Sequence, residues 1–254
     1  MNEVFSPQRL RLLIRGDLVA GYRSLLVVSG ALAGVILLAA LATHGGVLRD
    51  GDFYRRCFGL TLFVWGLIAS SRAFRSLHDR TRNEAYLLIP ASALEKMLAR
   101  LLAVTVGLVA YLLVFIGFVS VVVETLNLLL YGGTPAFFDP FHRTVWSAIF
   151  AYVILQSFYF LGGAWFRRAH FVKTTLALTL AVAGFACFAA LTMRIVFAGY
   201  WLGVGDVFFV LEQLGRARAS GIGAVVPGIA LLLPLACWWI AWLRLQEAQV
   251  SDGV

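Results

Sequence analysis

The sequence predicts an all-α membrane protein with six transmembrane helices, and three observations lead to this fold class. The chain is 61% hydrophobic, with a mean hydropathy of +0.87. Only 13% of its residues are charged, about half the share in soluble domains. Six apolar runs are each about 20 residues long, which is the length that crosses a hydrocarbon core of about 30 Å as a helix. Since a soluble fold cannot bury this much apolar surface, we expect lipid to surround most of the chain.

Residues 1–21 precede the first apolar run and predict an amphipathic elbow helix on the cytoplasmic surface. Ser6 followed by Pro7 is typical of a helix start. Apolar residues then recur at helical spacing, with arginines elsewhere around the helix. An irregular solvated leader is the alternative. No cleavage site precedes an uninterrupted apolar core, so we expect the first span to remain in the protein.

The six apolar runs and the segments that join them form one predicted domain over residues 1–254. After the elbow, the six-span bundle covers residues 22–245, and a short cytoplasmic tail covers residues 246–254. The predicted spans are Tyr22–Ala42, Cys57–Phe74, Leu98–Val123, Thr144–Phe166, Thr174–Ala198 and Ala224–Leu245.

The basic residues set the predicted orientation. With the N-terminus inside, 14 of the 21 Lys and Arg residues fall in inner segments and 7 in outer ones. Cytoplasmic loops carry such an excess, so both termini are expected in the cytoplasm. Nearly all basic residues are arginine, which is typical of a GC-rich bacterial genome, and we therefore expect a bacterial cytoplasmic (inner) membrane.

Residues 72–100 form a polar stretch between spans 2 and 3, on the predicted cytoplasmic side. A capping-box pattern at its centre predicts a helix over Arg82–Ile89, which Pro90 ends. Ser92 and Glu95 form a second capping box that starts the helix of span 3. Two capped helix starts indicate an ordered segment suited to docking a partner protein. An ordinary loop that caps its helices is the alternative.

Residues 199–222, between spans 5 and 6, are half apolar but too broken to span a membrane. They predict short re-entrant helices at the outer side, because backbone at membrane depth needs protein or water beside it. A helix that lies on the outer surface is the alternative.

The chain shows no pattern of catalytic chemistry. It has no GxxxxGK[ST], HExxH or GxSxG sequence, and its three cysteines form no CxxC or Cys/His cluster. We therefore predict no enzyme activity, no metal and no cofactor on this chain. The net charge of +8 is spread at the ends of apolar runs rather than in a basic patch with interleaved aromatics, so nucleic acid is not an expected partner.

Glu124 and Arg194 lie near the outer ends of spans 3 and 5, where an ionisable residue is a candidate functional group. They are predicted to form an ion pair, to contact a substrate head group, or to reach the outer interface separately. Small residues indicate close helix contacts. They include Gly30 and Gly34 in span 1 and Gly184 and Ala186 in span 5. In span 4, Gly162 and Gly163 favour a kink or a close crossing.

Taken in order, these parts resemble the membrane subunits of ATP-binding cassette (ABC) exporters, the type 2 permease family. At sequence level the resemblance rests on NEAYLLIPASALEKMLAR, within Arg80–Arg100, which is similar to the family's short helix, Leu-rich turn, Pro and basic helix start. It implies that the helix Arg82–Ile89 couples the chain to a separate ATPase subunit. The expected contacts there are Arg80, Arg82, Glu84, Tyr86 and Leu87.

The resemblance also implies a second permease subunit, identical or not, packed against the small residues of spans 1 and 5. ATP and Mg²⁺ would be bound by the partner ATPase. The first outer loop is short, which departs from family members with large extracytoplasmic domains. The expected activity is export of a hydrophobic or amphipathic substrate. A membrane scaffold or sensor subunit, an ion-coupled carrier and a membrane-embedded enzyme are the alternatives.

Overall fold

The computed structural model describes residues 6–42, 52–74, 91–132, 135–166, 169–196 and 225–251. These ranges are helical, with short turns and caps and no β-strand. The helices are α1 (Pro7–Ala42), α2 (Asp52–Ser71), α3 (Ala93–Leu102), α4 (Leu108–Tyr131), α5 (Arg143–Trp165), α6 (His170–Val196) and α7 (Val225–Ser251), with a π-helical segment, Ala103–Gly107, between α3 and α4.

Four of the described helical stretches are long and apolar enough to cross a membrane. They are Gly21–Ala39, Ala93–Leu130, Arg143–Trp165 and His170–Thr192. The helices α2 and α7 lie where spans 2 and 6 are predicted and are not among these four. The class of the fold, an all-helical protein with membrane-spanning helices, is therefore the predicted one.

The first helix corrects the elbow prediction. It begins at Pro7, as the Ser6–Pro7 pattern predicts, but continues without a break through Gly21 to Ala42. Its 36 residues make a rod about 54 Å long. A glycine weakens a helix interior without ending it, and the segment has no internal proline to break it. The elbow and the first span are therefore one helix.

The third span is also longer than predicted and contains a π-helical segment. The rod Ala93–Tyr131 runs through α3, Ala103–Gly107 and α4. It ends at Gly132, which has a φ of 65° and donates its N–H to Leu128 O. This left-handed C-cap favours glycine, because a Cβ is disfavoured at positive φ.

The last helix extends beyond the predicted end of the bundle. Helix α7 continues to Ser251, although the bundle was predicted to end at Leu245. Arg244 donates to Glu247 at 2.8 Å, an i,i+3 pair that supports the final turns. Most of the segment predicted as a tail is therefore helical.

Helix α5 lies at the centre of the bundle and packs against α2, α6 and α7, while α1 packs along α3 and α4. One hydrophobic core lies among α1, α2, α4 and α5, around Phe58, Leu112 and Tyr152. A second core joins the end of α2 to α3, α5 and α7, around Phe74 and Phe160. We call the end of the bundle at the second core the inner end, after the predicted orientation.

Two predicted elements lie outside the described residues. They are the coupling helix Arg82–Ile89 and the re-entrant segment 199–222. All five predicted ATPase contacts, Arg80, Arg82, Glu84, Tyr86 and Leu87, also fall there.

Candidate functional site

Most polar side chains that the described bundle buries lie at one of three levels along it. An inner level surrounds Glu95, a middle level surrounds Tyr152 and Gln156, and an outer level surrounds Glu124. Buried polar groups in a membrane bundle are costly, so each level is a candidate for function.

The inner level begins with the predicted capping box, which the structure confirms. Ser92 Oγ accepts a hydrogen bond from the N–H of Glu95 at 3.2 Å, and the Glu95 carboxylate accepts one from the N–H of Ser92 at 2.9 Å. The box fixes the point at which the chain leaves the polar stretch and enters α3.

Glu95 also holds the start of α1. Its Oε1 accepts a hydrogen bond from the N–H of Ser6 at 2.7 Å and lies 3.4 Å from the Arg9 guanidinium. The Glu95 side chain is fully buried, so these contacts replace water around its charge. One carboxylate therefore joins two helix N-termini, those of α1 and α3, where negative charge is favourable.

The middle level is a crossing of three chain segments. The ring of Tyr152 lies against Gly66, where an added Cβ would come within 2.3 Å of the ring carbon Cε2. This lack of a side chain lets the hydroxyl of Tyr152 donate to the carbonyl of Val104 at 2.7 Å. Val104 belongs to the π-helical segment, and such segments are frequent at functional sites.

Gln156 lies one helical turn beyond Tyr152 and is fully buried. Neither Nε2 nor Oε1 of its amide finds a hydrogen-bond partner among the described residues. Nearby hydroxyls bond to their own helices, as Ser70 does to Gly66 O and Ser157 to Ile154 O. An unpaired amide in an apolar interior costs free energy, so Gln156 stands out as a polar group that packing alone does not explain.

The outer level fastens the segment between α4 and α5. Glu124, which is 3% exposed, accepts a hydrogen bond from the hydroxyl of Tyr54 at 2.7 Å and one from the N–H of Ala136 at 3.1 Å. Ser120 Oγ accepts a further bond from the N–H of Phe138 at 3.3 Å. Glu124 thus ties α2, α4 and the outer segment together.

Arg194 is exposed in the last turn of α6. Among the described residues, the ion pairs do not include one between Glu124 and Arg194. The pair that does form near the outer end is Asp52 with Arg55, whose Nε donates to Oδ1 at 2.9 Å. This hydrogen bond and the charge of Arg55 lower the pKa of the Asp52 carboxyl, which keeps it ionised at the start of α2.

The predicted seam residues lie on uncovered surface. A Cβ added at Gly30, Gly34 or Gly184 would meet no atom within 4 Å, and Ala186 is exposed. By contrast, Gly162 and Gly163 make the close crossing that the sequence favours. An added Cβ would lie 1.9 Å from Thr174 Oγ1 at the first and 2.8 Å from Ser71 O at the second.

Sequence reasoning missed the partners of Glu124 and the whole middle level. Tyr54 lies before predicted span 2, so its distance from Glu124 could not be read from spacing. Gln156 carried a usable signal, because it is an amide near the middle of an apolar run of 23 residues.

No family model, curated protein or solved structure matches this chain.

Proposed function

We propose that this chain is the transmembrane permease subunit of an ABC exporter. A separate ATPase chain would drive it, and a second permease subunit would complete the pathway. Its substrate would be a hydrophobic or amphipathic molecule taken from the cytoplasm or the inner leaflet, and its location would be the bacterial inner membrane. The chain itself would bind neither ATP nor Mg²⁺ and would catalyse no reaction.

The junction at Glu95 is the observation that carries this proposal. The polar stretch proposed to dock on the ATPase leads directly into Ser92 and Glu95. Glu95 in turn holds the start of α1 through Ser6 and Arg9. A push on the docking stretch would therefore reach two helices at once. Such a junction suits a subunit that is moved by another protein. One displacement of the docking stretch would then shift both helices together between two states of the bundle.

The direct test is purification of the tagged protein from its native membrane in mild detergent. A co-purifying ATPase, with ATP hydrolysis sensitive to vanadate, is the expected result. The variant Arg82→Glu with Tyr86→Ala should abolish ATPase capture while leaving the protein in the membrane. The matched control is Arg143→Glu with Trp146→Ala, which likewise reverses one arginine and removes one aromatic side chain, at the exposed outer start of α5, and should keep the ATPase.

Retention of the ATPase by the inner double variant would refute the coupling assignment. Purification of the wild-type protein without any ATPase would refute the exporter function itself and favour a carrier, an enzyme or a scaffold.

A further inference from the structure

Two cations from different helices meet the aromatic residues at the inner end of α5. The Arg244 guanidinium carbon lies 4.0 Å from the centroid of the Trp165 ring, and Lys173 Nζ lies 5.8 Å from that of Phe166. Trp165 and Phe166 are consecutive, so their Cα atoms are about 3.8 Å apart. One short piece of chain therefore holds a cation from α7 and a cation from α6. We call these four residues the basic corner.

The basic corner is open to its surroundings. The Arg244 side chain is 41% exposed, Trp165 is 52% exposed, and Lys173 is exposed. A ring can cover only one face of a cation, which leaves N–H donors that the ring does not occupy. Arg244 uses one of them, Nη1, on Glu247 at 2.8 Å. Among the described residues, two positive charges against this one carboxylate leave the corner with a net positive charge.

The residues beside the basic corner are apolar and exposed. They are Phe171 and Val172 on α6 and Ile240 and Leu243 on α7. Cations beside exposed apolar helix faces match the two parts of a phospholipid, a charged head group and acyl chains. Basic pockets between transmembrane helices on the cytoplasmic side bind anionic head groups in this way.

We propose that the basic corner binds the phosphate head group of an anionic phospholipid, with its acyl chains along the exposed faces of α6 and α7. The charge complementarity is specific to an anionic lipid, because a zwitterionic head group adds a positive charge of its own. Aromatic residues at the interface and long basic side chains place the corner at head-group depth. This site is independent of the proposed exporter function and requires no ATPase.

The test measures lipid binding to the purified protein by native mass spectrometry, with phosphatidylglycerol or phosphatidylcholine added to the detergent. The wild-type protein should prefer phosphatidylglycerol by about 25-fold, since each of the two basic side chains near an anionic head group contributes about a fivefold effect. The double variant Lys173→Gln with Arg244→Gln should lose this preference. Glu247→Gln should strengthen it, because that change removes the carboxylate that competes for Arg244.

The matched control removes two exposed arginines far from the corner, with Arg56→Gln and Arg143→Gln. It makes the same change in net charge and should keep the preference. A wild-type protein without preference, or equal losses in both double variants, would overturn the site. A further arm adds inorganic phosphate at the same concentration as the lipid. Full displacement of the lipid by phosphate would mean that the corner recognises a soluble anion instead.

Discussion

At the scale of single residues, Glu124 and Gln156 show two ways to bury a polar group. Glu124 is 3% exposed and accepts hydrogen bonds from Tyr54 and Ala136. Gln156 is fully buried, and the described residues give its amide no partner. The first arrangement stabilises the fold, whereas the second opposes it. A group that opposes the fold is a stronger candidate for function.

Replacement of Gln156 by methionine should stabilise the protein. An unpaired buried amide costs about 1–3 kcal/mol, and methionine has a similar volume and no hydrogen-bonding demand. We expect an increase of about 1–2 kcal/mol in the free energy of unfolding, measured by chemical denaturation in detergent. The control Leu112→Met alters another fully buried position and should not stabilise. A loss of stability in Gln156→Met would show that the amide has a partner in the membrane.

Replacement of Glu124 by alanine should release the segment between α4 and α5. The change removes the carboxylate that accepts from the Tyr54 hydroxyl and the Ala136 N–H, at a cost of about 2–3 kcal/mol. Hydrogen exchange of the amides of residues 135–139 should therefore quicken. Thr125→Ala is the control, since Thr125 is exposed and its hydroxyl donates to Val121 O of its own helix. Unchanged exchange in Glu124→Ala would contradict the anchoring role.

At the scale of helices, the crossing of α2, α5 and the π-helical segment depends on the absence of a side chain at Gly66. An alanine Cβ there would lie 2.3 Å from the Tyr152 ring, closer than non-bonded carbon atoms approach. The ring would have to move, and its hydroxyl would leave Val104 O. The geometry of the π-helical segment and the packing of α2 are therefore linked through one tyrosine.

The variant Gly66→Ala should lower the free energy of unfolding by about 1–3 kcal/mol, the usual cost of overpacking. Gly59→Ala is a close control, because it lies on the same helix and its Cβ would meet no atom within 4 Å. That variant should be neutral or stabilising by up to about 1 kcal/mol, since alanine favours a helix over glycine. Thermal unfolding of both proteins in detergent provides the measurement. Equal stabilities would mean that Tyr152 does not cross at Gly66.

The helices differed in how well their sequences predicted them. Ser92 and Glu95 placed the start of α3 correctly, because a capping box is a local pattern. The continuity of α1 was missed, because a change from polar to apolar residues at Tyr22 marks a change of solvent and not a helix end. The π-helical segment was also missed, since it accompanies a contact between Val104 and a residue 48 positions away. Spacing along one helix carries no information on such a contact.

At the scale of the whole molecule, α6 is the least covered of the four apolar spans in the described part of the chain. Its first turns pack against α5, where Tyr159 Oη and Thr175 Oγ1 are 2.9 Å apart and Thr174 lies at Gly162. Beyond Leu178, its described side chains are exposed on all sides, and only 6% of its membrane-spanning window is buried. Lipid can cover such a helix, but small residues all round allow a second helix to approach closely. In the proposed dimer, this surface and that of α1 form the seam.

The native Cys187 lies in this uncovered stretch of α6 and provides a test of the seam. Cys237 is buried and Cys57 is half-buried, so Cys187 is the exposed thiol of the described chain. If two identical subunits meet along α6, mild oxidation in native membranes should join them into a species of twice 27.9 kDa. Cys187→Ala should abolish that species. A control places a cysteine at Val114, which is 73% exposed on α4. The variant Val114→Cys in the Cys187→Ala background should not restore the cross-linked species. Collisions of monomers would cross-link both positions alike, because both thiols face outward, so equal yields would exclude a homodimer with this seam.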